Sequence, residues 1–363
     1  WELSSCSPGK PFVEPGRGAT LRYRLELGRR GGGETVQHLV GARLFRTPGA
    51  AEEWQSDLAG AADDVAGRED LRPFARPTLV VPELRLLLHA FPLDPRLPGL
   101  VRATDPATLV DTLGPLLETS VPGLRLRGCH TEVVRYRPES CVLRYELAWR
   151  LEPSRRSLKQ VVYGKVYSGG EGELVGPAVT ALREREPDGP DSSLPFVVPR
   201  FQGYLPGLRL ALLEAAPGAP LLPTLVRARG GGADAPHVTG LTAEGAIASC
   251  ARVAAALHRS AIPVGPLRTL GEEIEAVRAA VDDLAPLAPG LAASLHRHLG
   301  TVADLALDAP GPLGVAHGHF DASQVLFDGP TASLVDFDTV CLAEPALDLG
   351  HFTGHLAVAV RRA

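Results

Sequence analysis

The feature that most constrains the fold is a pair of short apolar segments near the C-terminal end of the chain. VLF (325–327) leads through the turn DGPT into SLVDFD (333–338). Two strands joined by an Asp-Gly turn predict a β-hairpin. Asp321 and Gln324 precede the first strand, and Asp336 and Asp338 end the second. Oxygen ligands that converge at one end of a rigid hairpin suit a hard cation such as Mg²⁺.

The surrounding segment, HGHFDASQVLFDGPTASLVDFDTVCLAEPALDLG (317–350), resembles the aminoglycoside phosphotransferase and choline kinase-like family, a branch of the protein-kinase-like fold. That family carries H-G-D-x-H-x-x-N, then a strand pair ending in I-D-[FW], then D-P-A-x-D-L. The residues that match are His317, Gly318, Val335, Asp336, Phe337, Pro345, Ala346, Asp348 and Leu349, with Glu344 in place of the first Asp of the last motif.

The catalytic loop departs from the family pattern. His319 stands at the position of the catalytic Asp, and Asp321 stands at the position of the second His. Gln324 replaces the Asn, and its amide oxygen can still reach a metal. The resemblance implies that His317 braces the loop. Either His319 accepts the proton, as an imidazole with an ordinary pKa of about 6.5 can, or Asp321 orients the substrate hydroxyl. The third alternative is that His319 is a lost base and the chain a pseudokinase.

The resemblance also implies ATP or GTP and Mg²⁺ as cofactors, with Gln324, Asp336 and Asp338 as the metal-binding residues. Lys165, in the context GKVY, is expected to contact the α- and β-phosphates; the alternative is a solvated edge lysine. The other residues expected to serve the nucleotide are Glu173 as the partner of the lysine, Ser140 in the loop RYRPESC, and the backbone at Glu214 and Ala216. Ser140 equally fits an ordinary hairpin turn.

An internal repeat is visible in the N-terminal half. LRYRL (21–25) returns as LRYEL (143–147), an offset of 143 − 21 = 122, which also aligns Arg43 with Lys165. PELRLLL (82–88) returns as PGLRLAL (206–212), an offset of 124. We therefore predict that residues 10–100 are a degenerate, non-catalytic copy of residues 120–225.

Periodicity gives the coarse architecture. Three alternating segments (124–138, 141–150 and 160–168) predict antiparallel strands, followed by a helix over 172–186 and two further strands. Helices are expected from Thr242 to about Arg259, in two later amphipathic segments and after Leu349. We predict an α+β, bilobal protein-kinase-like fold with an antiparallel-sheet N-lobe, a helical C-lobe and an extra N-terminal β-rich lobe. The predicted domains are 1–115, 116–225 and 226–363.

Composition narrows the class of partner. The 363 residues carry a net charge of −5, so neither a basic nucleic-acid face nor a polybasic membrane segment stands out. Five scattered cysteines fit a reduced cytoplasmic compartment. The expected partner is a small-molecule hydroxyl acceptor such as an aminoglycoside, a sugar or a related natural product. Alternatives are a pseudokinase that binds a nucleotide or a protein partner, and a kinase of peptide Ser or Thr whose partner binds through the extra lobe.

Overall fold

The computed structural model describes residues 1–362 except 15, 17, 34, 66, 118–122, 153, 155, 186–193, 223–224, 226–241, 263 and 307–310. The chain forms two compact units. The first comprises Trp1–Gln160, Gly164–Gly170 and Leu205–Leu210, and the second comprises Val161–Tyr163, Glu171–Tyr204 and Ala211–Ala363. Among the described helices, none combines the length and hydropathy needed to span a bilayer.

A six-stranded antiparallel sheet begins the chain. Its main path runs in the order β1-β3-β4-β6-β5, and β2 pairs with β3. The long strands β3 and β4 form an eleven-pair ladder from Gly18↔Phe45 to Gly28↔Thr35. The strands are β1 (Glu2–Pro8), β2 (Phe12–Glu14), β3 (Gly18–Gly28), β4 (Thr35–Phe45), β5 (Thr78–Val81) and β6 (Leu86–Ala90).

Short helices bury apolar side chains beside this sheet. Ala51 and Leu58 pack with Phe45 and Leu87 in one core cluster. The helices of this region are α1 (Ala50–Asp57), α2 (Ala59–Asp64), α3 (Leu100–Ala103) and α4 (Pro106–Leu117).

A second antiparallel sheet has the order β7-β8-β9-β12-β11. From Ser140 to Arg150, β8 alternates between buried and less buried positions, as the sequence LRYEL predicts for a strand with one face in the core. Helix α4 packs against β7, and the buried Tyr145 hydroxyl donates to the carbonyl of Ala103 at 2.9 Å. The strands are β7 (Leu124–Tyr136), β8 (Ser140–Leu151), β9 (Arg156–Tyr167), β11 (Phe201–Leu205) and β12 (Leu210–Glu214).

The two sheets share their strand order and their local details, as the repeat predicts. In each copy a 3-10 turn beginning with Pro82 or Pro206 ends at an arginine with φ 48°, Arg85 or Arg209. The carbonyl of Arg85 accepts from Phe45 N at 2.9 Å, and that of Arg209 accepts from Tyr167 N at 3.0 Å. These are equivalent positions under the two sequence offsets. The boundaries predicted at 115/116 and 225/226 stay predictions.

Arg43, which aligns with Lys165, is almost fully buried and forms an ion pair with Glu14. Its guanidinium lies 4.8 Å from the centre of the Trp54 ring, and it donates to the Thr20 hydroxyl at 2.9 Å. The first copy thus uses this position for internal packing.

The helix predicted over 172–186 is shorter than expected. A 3-10 turn (Glu171–Leu174) comes first, and α5 (Val175–Arg183) follows it. Pro177 lies in the first turn of α5, where its missing N–H has no helical partner to lose. Pro177 has no N–H to donate to the carbonyl of Glu173, four residues earlier, which helps to explain why the α-helix begins late.

The second unit is mainly helical. The Thr242 hydroxyl accepts from Gly245 N at 3.1 Å and caps α6, as predicted. Thr269 and Glu272 form a capping box at the start of α7. Besides α5, the helices are α6 (Ala243–His258), α7 (Leu270–Leu284), α8 (Pro289–Ala306) and α9 (Ala346–Arg362).

Two small sheets position the motif segment. One has the order β10-β16-β15-β13, and the other pairs β14 with β17. The predicted hairpin is present as β15 and β16, with the register Val325↔Leu334 to Asp328↔Thr331. The strands are β10 (Phe196–Val197), β13 (Ala219–Pro220), β14 (Gly314–Ala316), β15 (Val325–Asp328), β16 (Thr331–Leu334) and β17 (Cys341–Ala343).

Candidate functional site

Asp336 and Gln324 meet at the open end of the hairpin. Asp336 follows β16 in the left-handed conformation, with φ 75° and ψ 52°. This conformation is uncommon for a residue with a side chain, and Asp tolerates it better than most. Gln324, which precedes β15 and is 3 % exposed, donates from Nε2 to Asp336 Oδ2 at 3.3 Å. The hairpin therefore places an amide and a carboxylate side by side.

The other atom of the Gln324 amide lacks a hydrogen bond. Its Oε1 is buried and has no hydrogen-bond partner among the described residues. The orientation of the amide follows from its neighbour, because a carboxylate accepts and the group facing it must donate. An unpaired buried acceptor costs about 1–3 kcal/mol. A cation bound to this oxygen would remove that cost.

Asp348 braces the backbone of the loop that begins at His317. Its side chain is fully buried and accepts from His317 N at 2.7 Å and from Gly318 N at 2.9 Å. His258, the last residue of α6, donates from Nε2 to the same carboxylate at 3.0 Å. Burial raises the pKa of Asp348, but the hydrogen bonds from His258 and from the backbone outweigh burial and hold the pKa below its ordinary value. The carboxylate is therefore ionised where it fixes the loop.

His317 closes the loop against the hairpin. Its ring is fully buried and donates from Nε2 to the carbonyl of Val335 at 3.0 Å, while its own carbonyl accepts from the Thr339 hydroxyl at 2.9 Å. Gly318 has φ 79°, and a Cβ there would overlap the carbonyl oxygen of Thr339. Only glycine fits between the two loops.

Arg268 adds a support that the sequence analysis missed. It donates from Nη1 to the carbonyl of Gly318 at 3.1 Å and is held by Glu273 through an Nε–Oε1 hydrogen bond of 2.6 Å. No pattern in the sequence around Arg268 indicates this contact.

Asp321 is engaged on both oxygens. Oδ1 accepts from the backbone N and the hydroxyl of Ser323, both at 2.5 Å, and Oδ2 accepts from His355 Nδ1 at 3.2 Å. The ring of His319 lies 5.1 Å from that of His355 and 5.7 Å from that of His351, between ring centres. Sequence analysis missed both helix histidines, although their spacing of four places them on one face of the last helix.

His319 has a perturbed pKa. Burial lowers it, Asp321 opposes this, and the neighbouring His355 and His351 lower it further, so that the net pKa lies below the ordinary value of 6.5. The neutral ring therefore dominates near pH 7 and offers a lone pair. A largely neutral imidazole thus lies two residues before Asp321 in the loop.

The remaining predicted residues are distributed over both units. Lys165 and Ser140 belong to the first unit. The ammonium of Lys165 lies 5.3 Å from the ring centre of Tyr167. The backbone of Ser140 is hydrogen-bonded to that of Arg137 and closes the turn between β7 and β8. Glu173 belongs to the second unit, in the 3-10 turn that contacts the turn Phe337–Thr339, which contains Asp338.

Glu214 and Ala216, at and after the end of β12, also belong to the second unit. The Glu214 carboxylate accepts from Gln202 Nε2 at 2.9 Å, and its backbone N donates to Arg200 O at 2.9 Å. The roles predicted for these residues at a nucleotide stay predictions.

Two comparisons with known proteins concern the whole chain. A comparison with curated protein sequences found no match. Among solved structures, the chain is similar to a choline/ethanolamine kinase family protein from Mesorhizobium loti, with 15% identity, 70% of this chain and 75% of that chain covered, and a TM-score of 0.40. It is similar to a macrolide 2'-phosphotransferase type I, with 17% identity, 69% of this chain and 81% of that chain covered, and a TM-score of 0.41. It is also similar to a spectinomycin phosphotransferase in complex with ADP and spectinomycin, with 13% identity, 70% of this chain and 78% of that chain covered, and a TM-score of 0.42.

The family model supports the motif assignment directly. The model of the phosphotransferase enzyme family matches residues 182–361, a range that includes the whole of the loop, the hairpin and Asp348 but not Lys165 or Glu173. The family predicted from the motifs is therefore confirmed: residues 182–361 of this chain belong to the phosphotransferase enzyme family.

Proposed function

We propose that this chain is a phosphotransferase that moves the γ-phosphoryl group of ATP or GTP onto a hydroxyl group of a small molecule, with Mg²⁺ as its cofactor. The observation that carries the proposal is the buried Oε1 of Gln324, which has no hydrogen-bond partner among the described residues and belongs to the amide whose Nε2 donates to Asp336. Oxygen donors of this kind suit Mg²⁺, which is bound by one or two protein groups together with phosphate oxygens and water. The residues present therefore fit the metal.

Gln324 and Asp336 would hold the metal, with Asp338 as a further candidate in the next turn. When bound, Mg²⁺ neutralises charge on the phosphates and orients the γ-phosphoryl group. The chain supplies rigidity: the left-handed backbone at Asp336 and the Gln324–Asp336 hydrogen bond hold the two side chains in place before the nucleotide arrives. Pre-positioned charge is the main protein contribution to phosphoryl transfer.

His319 is the proposed proton acceptor. In the reaction the acceptor oxygen forms a bond to phosphorus, the bond from phosphorus to the leaving β-phosphate oxygen breaks, and the hydroxyl proton passes to the neutral imidazole. Asp321 is held by Ser323 and His355, so we assign it to positioning within the loop and not to proton transfer. His317 and Asp348 keep the loop in place.

The test is transfer of labelled phosphate to a panel of aminoglycosides, sugars and Ser- or Thr-containing peptides. Asp336→Asn should abolish transfer, whereas Asp328→Asn, at the exposed tip of the same hairpin, should leave transfer unchanged. Equal activity of Asp336→Asn and the wild type would refute the metal assignment. The panel also separates a small-molecule acceptor from a peptide acceptor.

A pseudokinase remains the competing function, because His319 occupies the position of the family's catalytic Asp. General-base catalysis contributes on the order of 10²–10⁴ in rate. If His319 is the base, His319→Ala should lower kcat by about that factor while the affinity for nucleotide stays unchanged. A pseudokinase would bind nucleotide but show no turnover that depends on either His319 or Asp336.

A further inference from the structure

Three histidines and one carboxylate converge beside the catalytic loop. His351 and His355 lie one turn apart on α9, and His319 and Asp321 come from the loop. The ring centres of His351 and His355 are 6.3 Å apart, and His319 is closer than that to each of them. One donor atom from each of His319, Asp321 and His355 can be chosen so that all three lie within 4.8 Å of one another.

The hydrogen bonding inside this cluster is incomplete. Nδ1 of His351 is buried and has no hydrogen-bond partner among the described residues. Burial lowers the pKa of His351, as it does that of His319, so these rings are in the neutral form that binds metals. Neutral imidazoles grouped around one carboxylate leave several nitrogen lone pairs in a small volume.

The geometry fits a transition metal after a small adjustment. Bonds of about 2.0–2.1 Å in a tetrahedral site place ligand atoms about 3.3 Å apart. The observed upper limit of 4.8 Å therefore has to contract by about 1.5 Å, which rotations of the imidazole rings can supply. His355 is half exposed, so it has room to turn.

The donor set also separates this cluster from the proposed magnesium site. Gln324 and Asp336 offer oxygen only, which suits Mg²⁺. Imidazole nitrogen suits Zn²⁺, Co²⁺, Ni²⁺ and Cu²⁺. Two groups of donor atoms that prefer different metals therefore lie close together in the chain, His319 and Asp321 in one and Gln324 in the other.

We propose that His319, Asp321 and His355 form a binding site for a divalent transition-metal ion of the Zn²⁺ class, with His351 as an additional nitrogen donor. A metal bound there occupies the lone pair of His319. If His319 is the base, a consequence that rests on the proposed function, the metal inhibits phosphoryl transfer. Binding itself does not depend on that function.

The experiment uses the full chain, stripped of metal and free of any polyhistidine tag. ZnCl₂ is titrated into it and binding is measured by calorimetry. The titration is repeated with Co²⁺, and binding is then monitored by visible absorption. We expect one ion per chain and the absorption bands of nitrogen-coordinated Co²⁺. His355→Ala should weaken binding by on the order of 100-fold, the upper range for loss of a supporting group around a metal. His319→Ala should do the same, which guards against a folding defect in either variant.

His298→Ala, at an exposed histidine on α8, is the matched control and should bind Zn²⁺ like the wild type. Asp336→Asn should also keep Zn²⁺ binding while losing Mg²⁺-nucleotide binding, so the failure of one proposal is distinguishable from the failure of the other. The proposal is overturned if Zn²⁺ binds no more tightly than Mg²⁺, or if His355→Ala and His319→Ala bind Zn²⁺ as the wild type does.

Discussion

Replacing Asp348 with Asn should destabilise the second unit by several kcal/mol. The carboxylate is fully buried and accepts three hydrogen bonds, from His317 N at 2.7 Å, Gly318 N at 2.9 Å and His258 Nε2 at 3.0 Å. An Asn side chain keeps one acceptor oxygen and turns an NH₂ group toward at least one of these donors. A buried donor is then left unpaired.

The magnitude follows from the lost contacts. One unpaired buried N–H costs about 1–3 kcal/mol, and the remaining bonds each lose roughly 1 kcal/mol when the acceptor is no longer charged. The sum is about 3–5 kcal/mol, similar to removing one partner of a buried charged pair. For a folding unit of this size the midpoint of thermal unfolding should fall by about 6–20 °C.

The assay is calorimetry together with urea denaturation of the two proteins. Asp283→Asn, at an exposed position on α7, is the matched control and should change the free energy of unfolding by less than about 0.5 kcal/mol. A loss below about 1 kcal/mol in Asp348→Asn, or a loss equal to that of the control, would refute the assignment of Asp348 as the brace of the loop.

Three further predictions concern the loop, the first unit and the nucleotide. Gly318→Ala should lower the free energy of unfolding by more than about 1 kcal/mol, because the new methyl group meets the carbonyl of Thr339 at a positive φ; a denaturation midpoint equal to that of the wild type would contradict this. The pKa of His89 lies below its ordinary value. Burial, the largest effect, lowers it and the charge of Arg22 lowers it further, whereas Asp94 and the hydrogen bond to the Leu93 carbonyl raise it. The unfolded chain therefore takes up a proton below about pH 6.5 that the folded chain does not, and stability should fall by up to about 1.4 kcal/mol per pH unit below that value. The urea midpoint should show this dependence less strongly in His89→Gln, and an equal slope in both proteins would exclude His89 as its source. Lys165→Ala should weaken nucleotide binding by calorimetry if Lys165 contacts phosphates, and unchanged affinity would exclude that contact; Lys165 lies on the central strand β9 of its sheet, so the alternative of an edge lysine is wrong.

The local structure around the site could be predicted from the sequence, because each element carries its own signal. The Asp-Gly turn gave the hairpin at 325–334, and Thr242 gave the start of α6. The repeated LRY and LRL segments anticipated two sheets of the same strand order. These signals depend on residues that are near one another in the chain, so they can be recognised without knowledge of the tertiary fold.

The convergence of distant side chains could not be predicted in the same way. His258 is 90 positions from Asp348, and no sequence period links them. The left-handed backbone of Asp336 arises from the turn that follows β16, not from a residue type that demands it. The i, i+4 spacing of His351 and His355 was visible, but only the fold brings His319 to them.

The partners of Asp321 could not be predicted from the sequence either. Its carboxylate accepts from Ser323 and from His355, which is 34 positions away along the chain.

The central claim is that Gln324 and Asp336 hold the metal of a bound nucleotide, and calorimetric titration of a non-hydrolysable ATP analogue with Mg²⁺ tests it most directly. The claim predicts that one nucleotide binds per chain and that this binding requires Mg²⁺. In Asp336→Asn the affinity for the nucleotide should fall on the order of 100-fold, because changes to the groups around a metal alter its affinity on this scale. Asp328→Asn should bind as the wild type does. Nucleotide binding of equal strength in Asp336→Asn and Asp328→Asn, or no binding at all, would contradict the claim.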